Sequence, residues 1–124
     1  MRQIALLPSA CNSILGASNL FFSSKKIVYT ANLAVYVIDA ETFLIEKIIS
    51  KNLRVIVNIT ISPHDENYMI IAASNGSICL WDLKEESVIY ELALQHRSSA
   101  YWDPFSPTHC GIFLNEPNPR FLYW

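Results

Sequence analysis

Charge is what this chain has least of. Asp, Glu, Lys and Arg make up 16% of the residues, and the formal net charge is −2 with His neutral. No basic stretch could follow a phosphate backbone, so a nucleic-acid surface is excluded. Glycine is nearly as scarce, with three residues at positions 16, 76 and 111. A dinucleotide-binding turn needs a cluster of them. VYVIDAET at 35–42 ends on an acidic residue as a ribose-binding strand does, but no glycine-rich loop precedes it. No Gly-x-Ser-x-Gly elbow accompanies the serines and the three histidines, so no activated nucleophile is marked and no enzyme is expected.

Cysteine is limited to Cys11, Cys79 and Cys110, odd in number and far apart. That spacing argues against a disulfide framework and for a reducing, intracellular setting such as the cytoplasm. His109-Cys110 is the one adjacent His/Cys pair, and no second pair at ligand spacing completes a metal site. Neither a metal nor a cofactor is expected. Long apolar runs are missing too: none approaches the ~18 residues of a membrane span. The opening MRQIALLPSA holds four apolar residues in a row before Pro8, too few for a secretory core. No membrane partner is therefore expected.

What is present is apolar: 52% of the chain. It comes in short β-branched and aromatic runs with turn residues between them. They are KIVYTA at 26–31, LAVYVID at 33–39, RVIVNITIS at 54–62, YMIIAAS at 68–74, SICLWD at 77–82 and SVIYEL at 87–92, then GIFLN at 111–115 and RFLYW at 120–124. This is an all-β signature. ETFLIEKII at 41–49 admits a short helix, although isoleucine and phenylalanine dominate it and no capping glycine follows. Asn75-Gly76 predicts a two-residue hairpin turn with positive φ at both central residues. The runs are apolar on both faces: in SICLWD, Ile78 and Leu80 alternate with Cys79 and Trp81.

The runs also repeat. Asn32, Asn75 and Asn118 are spaced by 43 residues, as are Ile38, Trp81 and Trp124. The segments are NLAVYVI, NGSICLW and NPRFLYW. Asp39 matches Asp82 at the same spacing, and Ile61-Ser62-Pro63 recurs as Phe105-Ser106-Pro107 with one residue of drift. A period of about 40–45 residues holding four short strands marks a propeller blade. One such sheet cannot hide both apolar faces alone and stacks on neighbours.

ITISPHDENYMIIAASNGSICLWDLKEESVIYEL carries the resemblance furthest. With Ser62-Pro63, Ser74-Asn75-Gly76 and Trp81-Asp82 in order, it resembles the WD40 repeat family. The resemblance implies an incomplete propeller of about two and a half to three four-stranded antiparallel blades. Blade one covers about 10–49, blade two about 54–92 and an incomplete blade three about 99–124, and residues 1–22 have room for an outer and an inner strand. It also implies a buried hydrogen-bonded set of His, Ser or Thr, turn Asp and Trp. Ser74 and Trp81 carry over onto it; Asn75 replaces the aspartate; His96 stands where the third repeat's histidine belongs, but that repeat has Asn118-Pro119 at its turn. Two and a half blades leave open faces and edges. The expectation is therefore a part or short form of a larger propeller protein, a non-catalytic scaffold binding other proteins, completed by the rest of a longer chain or by self-association.

Within that frame Asp39 and Asp82 are expected to bond nearby backbone amides at strand ends. Lys84-Glu85-Glu86 reads as a solvated turn. Tyr101 and Trp102 are candidate partner-binding residues, with packing in an inner strand as the alternative. A propeller with an enzymatic or small-molecule channel needs several Asp, Glu, His or Arg residues on inner strands, and VIVNITIS offers only Asn58 and Thr60, which favours the binding module. A product without independent function is the remaining alternative.

Overall fold

The computed structural model describes residues 20–23, 25–31, 33–49, 55–115 and 119–124. Within them the chain forms β1 (Leu20–Phe22), β2 (Lys26–Ala31), β3 (Ala34–Asp39), β4 (Ile45–Ile49), β5 (Ile56–Ile61) and β6 (Tyr68–Ala73). Then come β7 (Ser77–Asp82), β8 (Ser87–Ala93), β9 (Ser98–Trp102), β10 (Cys110–Leu114) and β11 (Arg120–Tyr123). Hydrogen bonds gather them into three sheets, ordered β1-β2-β3-β4, β5-β6-β7-β8 and β9-β10-β11. Within each sheet, strands consecutive in sequence pair antiparallel. Residues 41–49 are a turn followed by β4, not a helix. Ile45, Ile48 and Ile49 are β-branched and pair with β3.

The sheets stack face to face. Val28, Val35, Val37 and Ile49 of the first sheet pack on Ile59, Ile61, Met69, Ile71 and Trp81 of the middle one. From the other side, Ala100, Cys110, Ile112 and Leu114 of the third sheet pack on Ile70, Ala72 and Ile78. Ile70 and Ile71 are neighbours in β6, point to opposite faces, and are both 2% exposed. That is why YMIIAA reads as an unbroken apolar run. Each such side chain contributes about 1.5–3 kcal/mol by leaving water.

The 43-residue spacing extends into the backbone. The β3–β4 register shifts between Val37 and Ile38, and the β7–β8 register shifts between Leu80 and Trp81. Phe43 and Glu86 both have positive φ, at 58° and 54°. All three pairs are one repeat apart. Ile38 faces away from the middle sheet, Trp81 packs on the first sheet and Trp124 on the middle sheet. The same repeat position therefore points to the same side, one sheet further along.

One turn differs from the sequence reading. Gly76 alone in its turn has positive φ, at 86°; Asn75 does not. Gly76 N–H donates to Ala73 O at 3.0 Å, so Ser74 and Asn75 are the central residues and the glycine follows in the left-handed region. This longer loop needs one left-handed residue instead of two. The Asn75 carboxamide oxygen accepts from Ser77 N–H and Oγ, at 3.2 and 2.8 Å.

Candidate functional site: rim turns, sheet straps and the groove beside the third sheet

Strand-end aspartates build the rim turns. Asp39 Oδ1 accepts from Glu41 N–H, Thr42 N–H and Thr42 Oγ1 at 3.0, 2.6 and 2.7 Å. Asp82 Oδ1 accepts from Lys84 and Glu85 N–H at 2.8 and 3.0 Å. The donors, too, are one repeat apart. The Thr42 amide, followed by its hydroxyl, holds the Asp39 carboxyl below the usual carboxylate range.

Polar side chains strap the sheets together. Asn58 sits buried in β5 where the register with β6 shifts. Its Nδ2 donates to Ala100 O at 2.7 Å, and Ala100 N–H donates to its Oδ1 at 3.2 Å. The side chain thus imitates a strand neighbour and clips the inner strand of the middle sheet to that of the third. The sequence offers only Asn58 and Thr60 toward a channel, and the geometry gives Asn58 the role of a clip. Lys47 Nζ of β4 donates to Leu83 O at 2.6 Å and pairs with Glu86 at 3.1 Å, joining the first sheet to the middle one. Glu86 therefore belongs to a strap as well as to a solvated turn. Nothing in the spacing marked Lys47 or Asn58, because each acts across two sheets.

The set implied by the resemblance does not assemble among the described residues. Ser74 is exposed in the turn, not buried beside Trp81. Trp81 is buried, and its Nε1 has no partner among the described residues. The physical reason is register: Ala73, with no hydroxyl, fills the buried strand end and Ser74 falls one residue beyond it. His96 is exposed, and its carbonyl lies close over Gly76, 2.8 Å from where a Cβ would be. Asn32 and Asn118 lie outside the described residues.

Tyr101 and Trp102 part company at the end of β9. Tyr101 shares a face with Gly111 and Tyr123 through register pairing and is exposed. Trp102 points the other way, half-buried, toward the middle sheet. Beyond them Asp103-Pro104 ends the strand, because proline cannot extend the ladder. Phe105 is consequently 93% exposed in the loop, whereas Ile61, its counterpart by sequence, is core. The Phe105-Ser106-Pro107 match therefore does not extend to burial, and Phe105 is a rim aromatic the spacing concealed.

Around that loop Tyr123 OH donates to Asp103 Oδ2, and Phe105 N–H donates to Asp103 Oδ1 at 2.7 Å. The two bonds, the tyrosine's first, lower the Asp103 carboxyl; the same contact raises the Tyr123 phenol. The His109 ring stacks on Tyr123 at 4.9 Å, and its Nδ1 lies 2.8 Å from Ser106 Oγ and 2.9 Å from Thr108 Oγ1. His64 Nε2 lies 3.3 Å from Asp103 O, tying the loop back to the middle sheet. Among the described residues no three His, Cys, Asp or Glu side chains are grouped to hold a metal. Burial pushes the Cys110 thiol up to about 11 and, together with the Glu91 charge, raises Cys79, so both stay protonated and weakly nucleophilic near neutrality. No described helix is long and apolar enough to cross a membrane.

Inside the rim a groove of about 530 Å³ opens between β7–β8 and β10–β11. Ile70, Leu80, Tyr90, Trp102 and Trp124 line it, and Tyr90 meets Trp124 edge-on at 6.4 Å.

No family model matches the chain, and no curated protein sequence does. Among solved structures it is similar to the β-propeller domain of Cps50 (Swd1) from Myceliophteria thermophila, with a TM-score of 0.69 and 16% identity. The similarity covers 86% of this chain and 38% of that one, so the chain spans well under half the length of the propeller it resembles. The fold is therefore all-β, a partial propeller of WD40 type built from three antiparallel sheets.

Proposed function

We propose that the chain is a non-catalytic WD-repeat scaffold that binds other proteins, and that it forms part of a larger propeller assembly. The observation that carries this reading is the use made of polar groups. Asn58 and Lys47 hold sheets together, while exposed aromatics collect on the rim and on the third sheet. A rigid stack presenting aromatic side chains suits protein recognition. Unpaired Cys79 and Cys110 support an intracellular, reducing setting. The opening MRQIALL and the spacing after it are similar to WD repeat-containing protein 17, a large propeller-bearing protein. That closer likeness belongs to the same proposal, and residues 1–19 lie outside the described residues.

Affinity capture with the wild-type chain and with Tyr101→Lys and Phe105→Lys, read by quantitative mass spectrometry, tests the reading. Partners retained by wild type and lost by a rim variant support it. Hydrolase turnover abolished by His96→Ala would contradict it.

A further inference from the structure

Asn75-Gly76 makes a turn, and the pair also carries chemistry. Of the chain's asparagines, Asn75 alone precedes a glycine. The backbone nitrogen that follows an asparagine can attack that residue's own carboxamide carbon. Most side chains shield that nitrogen and restrict the backbone around it; glycine does neither. Asn75 is exposed at the tip of the β6–β7 hairpin, whereas Gly76 beside it is buried.

The turn arms one partner of this reaction and withholds the other. Ser77 N–H and Oγ both donate to Asn75 Oδ1, at 3.2 and 2.8 Å. Donors placed there polarise the carboxamide and would stabilise the negative charge that attack puts on its oxygen. The nucleophile is tied. Gly76 N–H is committed to Ala73 O at 3.0 Å, and Leu94 N–H donates to Gly76 O at 3.0 Å. His96 O lies 2.8 Å from where a Gly76 Cβ would be, and Leu94 O lies nearer still, so the connection from β8 to β9 covers the glycine. The Gly76 nitrogen cannot turn toward Asn75 Cγ without breaking the turn and lifting off that connection. Asn58 is the contrast: both ends of its carboxamide are bonded to Ala100, and β-branched Ile59 follows it.

We infer that Asn75 is a self-modification site, reacting through a succinimide, which the folded turn holds closed. Gly76 N gives its proton to hydroxide, and its electron pair bonds to Asn75 Cγ. The Cγ–Nδ2 bond breaks, and the nitrogen leaves as ammonia with a proton from water, which restores the hydroxide. Water then opens the five-membered ring at one of its two carbonyls. Opening at the former side-chain carbonyl leaves an aspartate at position 75. Opening at the main-chain carbonyl leaves an isoaspartate, whose backbone is one carbon longer. The aspartate keeps the acceptor for Ser77 and adds a charge to it. The isoaspartate does not fit, because Gly76 has no space in which to absorb the added carbon. Reaction requires the hairpin tip to open, so the products accumulate as a record of its openings. The site does not depend on the scaffold reading.

Ageing the full chain in mildly alkaline buffer, with and without urea, and mapping its peptides by mass spectrometry tests this. In urea Asn75 should convert to the aspartate and isoaspartate products, while Asn58 stays intact over the same period. In buffer the conversion should be slower by about tenfold or more, and by the factor that protects the Gly76 amide from hydrogen exchange, since both need the same opening. Gly76→Ala, compared in urea where its effect on the fold is removed, should slow the reaction. Isoaspartate-containing chains separated from the aged sample should melt below wild type, and Asn75→Asp should melt close to it. No conversion of Asn75 in urea overturns the inference. So do equal rates with and without urea in a chain that circular dichroism shows to be β-rich, or slow conversion beside a freely exchanging Gly76 amide. A chain without β-structure in buffer removes the turn and the partial-propeller reading together.

Discussion

The middle and third sheets are written in the same residues and end in different states. β6 and β7 present apolar side chains to both sides and have a neighbour on each. The third sheet has a neighbour on one side, where Ala100 and Ile112 are fully buried. On the other side Phe113, Phe121 and Tyr123 are 47, 65 and 59% exposed. Hydrophobic sequence thus decides which residues can be core, and stacking decides which are. The difference also predicts where the chain tolerates change.

The largest contrast should come from truncating matched side chains. Ile71→Ala in the middle sheet is expected to cost about 3 kcal/mol, and Phe113→Ala on the open face under ~1 kcal/mol, by chemical denaturation. Equal losses would mean the open face is covered in solution. Next comes the clip between the two sheets. Asn58→Ala strands a buried N–H and C=O at Ala100, and a loss of about 2–3 kcal/mol is expected, with hydrogen exchange at Ala100 accelerating most. Gly76→Ala should cost more than ~1 kcal/mol, because φ is positive and a Cβ would sit 2.4 Å from Leu94 O. The smallest effect is electrostatic. Asp103 has a lowered carboxyl pKa in the folded chain, so its contribution is present above the ordinary value of 3.8 and fades as the pH falls through the folded value. Acid melts of wild type and Asp103→Asn should therefore differ above pH 3.8 and converge once the pH has fallen below the lowered folded value, and the difference should report on the third sheet alone.

Much of this was legible in the sequence. Strand positions followed from β-branched runs such as YMIIAA and SICLWD, whose side chains are fixed by burial on both faces. The spacing of 43 residues located turns that share an aspartate cap, a bulge and a left-handed residue. What escaped was whatever depends on two sheets at once. Asn58 has no role in its own strand's pattern until β9 lies beside it, and Lys47 has none until the β7–β8 turn reaches it. Ser74 was displaced by one residue because the loop carries one left-handed position, not two. Phe105 resembled Ile61 in spacing, but Asp103-Pro104 had already ended the strand.

Native-state hydrogen exchange, at a concentration where the chain is monomeric, tests the stacking most directly. If the middle sheet is stabilised by a neighbour on each side, amides of β6 and β7 exchange slowest and those of β10 open first, by at least tenfold. Protection in β10 equal to or greater than that in β6 would contradict it.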